Sequence, residues 1–101
     1  MKPLKTDTRK RAKKKVDYQA LQSPLMRIPK MDIRVTRALI DLGIKEVYEL
    51  HGRSPEILFE EASKKNPEIN TYCIRYFRLA VYFSESHPDF NPKKLHPDYW
   101  A

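Results

Sequence analysis

The sequence predicts an all-α protein built around one core. The chain has 101 residues and only 2 glycines, which favours helices over a sheet rich in tight turns. No stretch alternates apolar and polar residues in the way that a half-buried strand requires. The length allows one small domain with a modest core.

The net charge of +7 is concentrated at the start of the sequence. Residues 1–15 contain eight of the 20 basic side chains and one of the 13 acidic side chains. Residues 16–101 therefore contain 12 basic and 12 acidic side chains. We predict a disordered basic arm over residues 1–15, because dense like charge and few apolar groups cannot offset the entropy lost on ordering. The arm suits phosphate backbones, with contacts from Arg9, Lys10, Arg11, Lys13, Lys14 and Lys15. An anionic membrane surface and simple solvation are the alternatives that charge alone leaves open.

The first helical signals follow the arm. Val16 and Ala20 begin the apolar content and predict a first helix. Ser23 and Pro24 are typical of an N-cap followed by a first-turn proline. They predict a short helical segment that ends near Ile28.

Residues 28–44 contain a turn, a helix and a helix stop. Pro29 marks the turn, since it has no backbone N–H to donate inside a helix. Asp32 is a good N-cap, and apolar residues follow it at helical spacing at Val35, Ala38, Leu39 and Leu42. Gly43 suits the left-handed conformation that ends a helix, after which Ile44 can fold back onto the apolar face.

Two further helical segments come next. A short one covers residues 47–50 and stops at Gly52. Ser54 and Pro55 are typical of a helix start. The amphipathic helix that they begin is predicted to end by Lys65.

The longest predicted helix covers about residues 72–85, with Asn70 or Thr71 as its cap. Its apolar residues leave only a narrow polar stripe, formed by Arg75, Arg78, Tyr82 and Glu85. Such a helix is covered on most sides by neighbouring elements, or partly by a second copy of the chain. Its apolar run falls short of the roughly 20 residues that a membrane span needs, and we expect no membrane partner.

Residues 87–101 are predicted to form an irregular tail packed on a helical domain of residues 16–86. The predicted anchors are large apolar or aromatic side chains, Phe90, Leu95, Tyr99 and Trp100. The tail repeats His-Pro-Asp, which raises the question of a metal site at His87, Asp89, His96 and Asp98. Their spacing matches no known ligand motif, so we expect no metal and no cofactor.

Part of this pattern resembles a known motif. A helix-hairpin-helix has the spacing found at Pro29, Val35, Leu39, Leu42, Gly43 and Ile44. Downstream, the Pro55-Glu56 helix start and the segment Cys73-Ile74-Arg75-Tyr76-Phe77-Arg78-Leu79-Ala80-Val81-Tyr82 look like the small bacterial pathogenicity-locus family of helix-hairpin-helix proteins. The resemblance covers about residues 21–83 and the Tyr99-Trp100 pair. It implies a small bundle of about five helices in a SAM-like arrangement, and a binding module instead of an enzyme.

In that motif, two glycines let the hairpin backbone approach DNA, so that amides at the second helix hold a phosphate. Here Lys30 and Asp32 stand at the glycine positions. We expect the Asp32 carboxylate to occupy those amides and to repel a phosphate. Lys30, Arg34 and Arg37 lie at helical spacing and would then provide the phosphate contacts from their side chains. An ordinary solvated helix face is the alternative.

The first predicted function is a non-catalytic helix-hairpin-helix protein that binds DNA non-specifically through phosphates, using the arm with support from Lys30, Arg34 and Arg37. The alternative is a protein–protein interaction module of the same fold, including a homodimer, which the neutral residues 16–101 favour.

Catalysis is not expected, because no catalytic partner lies at a recognisable spacing from any of the candidate groups, which are His51, His87, His96 and Cys73. A lone cysteine in an apolar helix is typical of an inert core thiol. It excludes an intramolecular disulfide and suits a cytoplasmic location.

Overall fold

The computed structural model describes residues 16–101, and the predicted basic arm lies outside the described residues. Within this range the structure has no strand, and it has four α-helices: α1 (Tyr18–Leu21), α2 (Ile33–Asp41), α3 (Pro55–Lys65) and α4 (Ile74–Ser86). Short 3₁₀ helices connect and follow them at Pro24–Arg27, Val47–Leu50, Thr71–Cys73, Pro92–Leu95 and Pro97–Trp100. The predicted all-α class is confirmed.

Capping side chains begin the first two segments. Asp17 caps α1, with its Oδ1 accepting from the Ala20 amide at 3.1 Å. Ser23 caps the 3₁₀ helix Pro24–Arg27 by accepting from the Leu25 amide at 3.1 Å. The short segment predicted from Ser23 and its following proline is therefore confirmed.

The end of α2 follows its predicted form. Gly43 has a φ of 91°, in the left-handed region that ends a helix without steric cost for glycine. The Ile44 amide donates to the Leu39 carbonyl at 3.0 Å, and the Ile44 side chain is buried. The chain thus folds back onto the apolar face of α2.

Two longer helices pack together after this turn. Ser54 caps α3, which ends at Lys65 as predicted. The start of α4 differs from the prediction, because Asn70 caps the 3₁₀ helix Thr71–Cys73 and the α-helix begins only at Ile74. A 3₁₀ turn at a helix start is a common way to tighten the first turn.

The core lies between α2, α3 and α4. Its largest fully buried side chains are Leu25, Ile28, Leu39, Ile44, Leu50, Leu58, Phe77 and Leu79. Phe77 of α4 meets Phe59 of α3 edge to face, with ring centroids 5.9 Å apart. Cys73 is also fully buried, in agreement with its predicted place in the core.

The polar stripe of α4 is used to bind other segments. Arg75 Nη1 donates to Asp98 Oδ1 at 2.9 Å, and Arg78 Nη1 donates to the Trp100 carbonyl at 2.8 Å. The Tyr82 hydroxyl accepts from the Asn91 amide at 2.8 Å. Three positions of the stripe therefore hold residues 91–100, and the predicted cover of this helix comes from the chain's own tail.

The tail is more regular than predicted. It forms the 3₁₀ helices Pro92–Leu95 and Pro97–Trp100, because prolines at their first positions favour helical φ angles. Trp100 packs against the core and donates from Nε1 to the Lys94 carbonyl at 2.9 Å. Tyr99, a predicted anchor, is 52% exposed instead, so it contributes little to the attachment.

We expect Trp100→Ala to lower the free energy of unfolding by about 2–3 kcal/mol, somewhat less than truncation of a fully buried tryptophan. Tyr99→Ala is the matched control, and it should cost less than about 1 kcal/mol because the ring is half exposed. Urea denaturation followed by circular dichroism measures both. Equal losses in the two variants would contradict the assignment of Trp100 as the anchor.

Candidate nucleic-acid interface

A tight turn separates the 3₁₀ helix Pro24–Arg27 from α2. The Met31 amide donates to the Ile28 carbonyl at 3.2 Å, which closes the turn around Pro29 and Lys30. Lys30 has a φ of 58° and is the one non-glycine residue of the described chain with a positive φ. Side chains with a Cβ rarely adopt this conformation, so the turn holds its lysine at a position that favours glycine.

Asp32 closes the start of α2, as predicted. Its Oδ1 accepts from the Arg34 amide at 2.7 Å. The same carboxylate also binds the Arg34 guanidinium in a two-pronged ion pair, with Nε to Oδ1 at 3.0 Å and Nη2 to Oδ2 at 2.8 Å. An amide that a phosphate would use is therefore already bonded.

Asp32 keeps its negative charge in this position. Burial raises the pKa of its carboxyl, but the hydrogen bonds from the Arg34 guanidinium and amide outweigh burial and leave the pKa below its ordinary value. Asp32 raises the pKa of Arg34 in return. An ionised carboxylate at the helix start opposes the close approach of a phosphate.

Arg37 is bound by carboxylates on two sides. Its Nε and Nη2 each donate to Asp17 at 2.7 Å, and its Nη1 donates to Asp41 at 3.2 Å. Nη2 also donates to the Gln19 amide oxygen at 2.9 Å. The hydrogen bonds from Arg37 and from the Ala20 amide lower the pKa of Asp17 to about 2.

Two residues of the predicted phosphate stripe lie in ion pairs. Arg34 and Arg37 face the side predicted for them, but carboxylates engage both guanidiniums. Bidentate pairing satisfies the donors that a phosphate would need. Lys30 is exposed and has no ion-pair partner within residues 16–101.

Arg27 was not among the predicted contacts. It lies in the last turn of its 3₁₀ helix, two residues before Pro29, and its side chain is exposed. It forms no ion pair with another described residue. Its position beside the proline turn is the signal in the sequence that could have identified it. Arg27 and Lys30 together place two cations around that turn.

A surface cavity of about 460 Å³ lies beside the start of α2. Its lining is mixed in charge, with Arg34 and Arg37 opposite Asp17 and Glu68. Val16 also lines it and directly follows Lys15 in the sequence. The attachment point of residues 1–15 is therefore on the same face as the start of α2.

The side chains of the two His-Pro-Asp segments contact different neighbours. His96 Nδ1 accepts from the Asp98 amide at 3.1 Å, and the Asp98 carboxylate binds Arg75. His87 packs against the edge of Phe90, with ring centroids 5.6 Å apart. In residues 16–101, no three His, Cys, Asp or Glu side chains are grouped as metal ligands.

None of the helices in residues 16–101 combines the length and the apolar character that crossing a bilayer requires.

Comparison with protein families gives one finding that covers most of the chain. The family model described as Cdd1, pathogenicity locus, matches residues 18–99. Searches of curated proteins and of solved structures gave no match to this chain.

Lys30→Gly should raise the free energy of unfolding by up to about 1 kcal/mol, because glycine adopts the left-handed φ without the cost that a Cβ imposes. Lys30→Ala is the control, since it removes the same charge and keeps the Cβ. It should change stability by less than about 0.5 kcal/mol. Chemical denaturation of the three proteins measures the difference, and equal stability of the two variants would contradict the role of the backbone conformation.

The Asp17–Arg37 pair should make stability depend on acid pH. The folded-state pKa of Asp17 is about 2, below the ordinary value of 3.8, so its contribution is complete above pH 3.8 and is lost as the pH falls to about 2. Asp17→Asn should therefore destabilise the protein at neutral pH and much less near pH 2. Urea denaturation across this pH range tests whether the variant and the unmodified chain approach the same stability near pH 2. Asp89→Asn is the control at an exposed aspartate, and it should show no comparable change between the two pH values.

Proposed function

This chain belongs to the pathogenicity-locus family Cdd1, and we propose that it is a non-catalytic helix-hairpin-helix protein of the cytoplasm that binds DNA through phosphates without reading base sequence. The observation that carries the proposal is the separation of charge. Residues 16–101 hold equal numbers of basic and acidic side chains, and the whole excess of +7 lies in residues 1–15. Such an excess attracts any phosphate backbone, because binding releases condensed counterions.

The geometry of the turn supports a hairpin of this type, within a SAM-like arrangement. A short 3₁₀ helix, a closed turn and α2 follow one another in the order that the motif requires. Lys30 stands at the motif's first glycine position and has the positive φ that explains a glycine there. The backbone course of the motif is thus compatible with this sequence, while the second glycine position holds Asp32.

The phosphate contacts in this proposal come from free cations. The arm supplies Arg9, Lys10, Arg11, Lys13, Lys14 and Lys15. Lys30 and Arg27 add two cations at the turn. Arg34 and Arg37 hold the folded structure together instead, because their guanidiniums are already bound to carboxylates.

Replacing these six arm residues by glutamine should make DNA binding much less sensitive to salt. Each phosphate contact contributes about 0.9 to the slope of log Kobs against log salt concentration, so the slope should become shallower by up to about 5. Fluorescence anisotropy with two labelled duplexes of unrelated sequence, titrated at several salt concentrations, measures the slope. The two duplexes should bind with similar affinity.

The matched control removes six cations from the folded surface, at Lys45, Arg53, Lys64, Lys65, Lys93 and Lys94. This variant has the same net charge as the arm variant, so it separates the place of the charge from its amount. Its slope should stay closer to that of the unmodified chain. Equal slopes in the two variants, or binding that salt does not weaken, would contradict the proposal.

A second candidate function is a protein–protein interaction module of the same fold, including self-association. The closed start of α2 favours it, as do two exposed apolar or aromatic side chains, Tyr48 at 72% and Ile57 at 54% exposure. Large exposed side chains of this kind are frequent in protein interfaces. Light scattering measures the oligomeric state, and a duplex titration at low salt measures DNA binding. A dimer that binds no duplex would favour the second function.

A further inference from the structure

Tyr72 presents a ring that is held in place and still exposed. It lies in the 3₁₀ helix Thr71–Cys73, and its side chain is 50% exposed. Its amide donates to Asn70 Oδ1 at 3.0 Å. The guanidinium carbon of Arg75 lies 3.8 Å from the centre of the Tyr72 ring. A guanidinium in this place fixes the ring through a cation–π contact.

Arg75 is itself fixed at three points. Besides the stacked ring, its Nε donates to the Tyr72 carbonyl at 3.0 Å and its Nη1 donates to Asp98 at 2.9 Å. The orientation of Tyr72 is therefore set before any ligand arrives. A preorganised aromatic side chain loses little conformational entropy when a partner stacks on it.

A second aromatic ring lies beside Tyr72. Tyr72 packs beside Tyr76, with ring centroids 6.1 Å apart. Burial raises the pKa of the Tyr76 phenol, in keeping with a ring that is only partly exposed. The two rings together form an aromatic surface on which Tyr72 is the more exposed member.

The charges on this surface suit a flexible strand better than a rigid duplex. A duplex presents phosphates at fixed spacing and is held best by several amides or cations fixed on the folded face, but carboxylates already occupy Arg34 and Arg37 and leave only Arg27 and Lys30 at the turn. A single strand bends and exposes its bases, so its phosphates can follow the basic arm while a base stacks elsewhere. Asp98, the acid that holds Arg75, is neutralised by that arginine, which limits its repulsion of the strand.

We infer that this chain prefers single-stranded DNA to duplex DNA, and that Tyr72, backed by Arg75, is the platform on which an unpaired base stacks. The inference rests on the proposed function and adds the class of strand and the residue that contacts it. Every base has a π face, so stacking on Tyr72 is compatible with binding that reads no sequence.

The test compares a labelled oligothymidine with a duplex of equal length, using the whole chain. Tyr72→Ala should weaken binding of the single strand by about 5- to 100-fold, as expected for the loss of one stacked base, and should leave duplex binding within about 2-fold. Tyr72→Phe keeps the ring and should bind like the unmodified chain. Tyr72→Leu keeps apolar bulk without the π face, so it provides the same test if the alanine variant does not fold.

Tyr48→Ala is the matched control, because this tyrosine is even more exposed and lies on the 3₁₀ helix Val47–Leu50. It should leave single-strand binding unchanged. A fluorescent adenine analogue in the oligonucleotide reports stacking directly, and its fluorescence should be quenched by the unmodified chain and by Tyr72→Phe, but not by Tyr72→Leu.

Three results would overturn the inference. One is equal affinity of the unmodified chain for single strand and duplex, and another is an unchanged single-strand affinity in folded Tyr72→Ala or Tyr72→Leu. The third is an equal loss in Tyr48→Ala. In each case salt-sensitive duplex binding would leave the proposed function standing, whereas the absence of binding to either form of DNA would remove both.

Discussion

Helix α4 needs partners on nearly every side, and this requirement organises the described part of the chain. Its apolar face packs against α3 and the 3₁₀ helix Val47–Leu50, with Phe77 fully buried at its centre. Its polar stripe lies at the partly exposed edge of that core. The tail provides the missing acceptors through the Asp98 carboxylate and the Trp100 carbonyl. The polar side of one helix and the packing of Trp100 together hold residues 92–100 in place.

Much of this fold could be predicted because its signals act over short distances. A capping oxygen reaches an amide two or three residues away, so Ser54 and Asp32 mark their helix starts from sequence alone. Gly43 marks a helix end for a similar local reason, since only the backbone at that residue must become left-handed. The 3₁₀ turns of the tail were not predicted, because their proline signals also fit an irregular segment.

The candidate site and the polar stripe were harder to predict, because some of their ion pairs join distant residues. Arg37 meets Asp17 across 20 positions of sequence, and Arg75 meets Asp98 across 23. An arginine on the polar face of a helix has the same periodicity whether it meets water, a phosphate or a carboxylate. Helical spacing therefore predicted a shared face for Arg34 and Arg37, but could not indicate that the distant Asp17 carboxylate binds Arg37. The Asp32 cap was predictable, since it acts on the next turn of chain.

The burial of Cys73 has a practical consequence. It is the single cysteine of the chain and is fully enclosed by the core, so maleimide reagents, which need an accessible thiolate, meet no reactive native group in the folded protein. One cysteine introduced at an exposed position such as Val16 would then carry a fluorophore or spin label at a single known point. Energy transfer from that point to a labelled oligonucleotide would locate the bound strand while every native core residue stays in place.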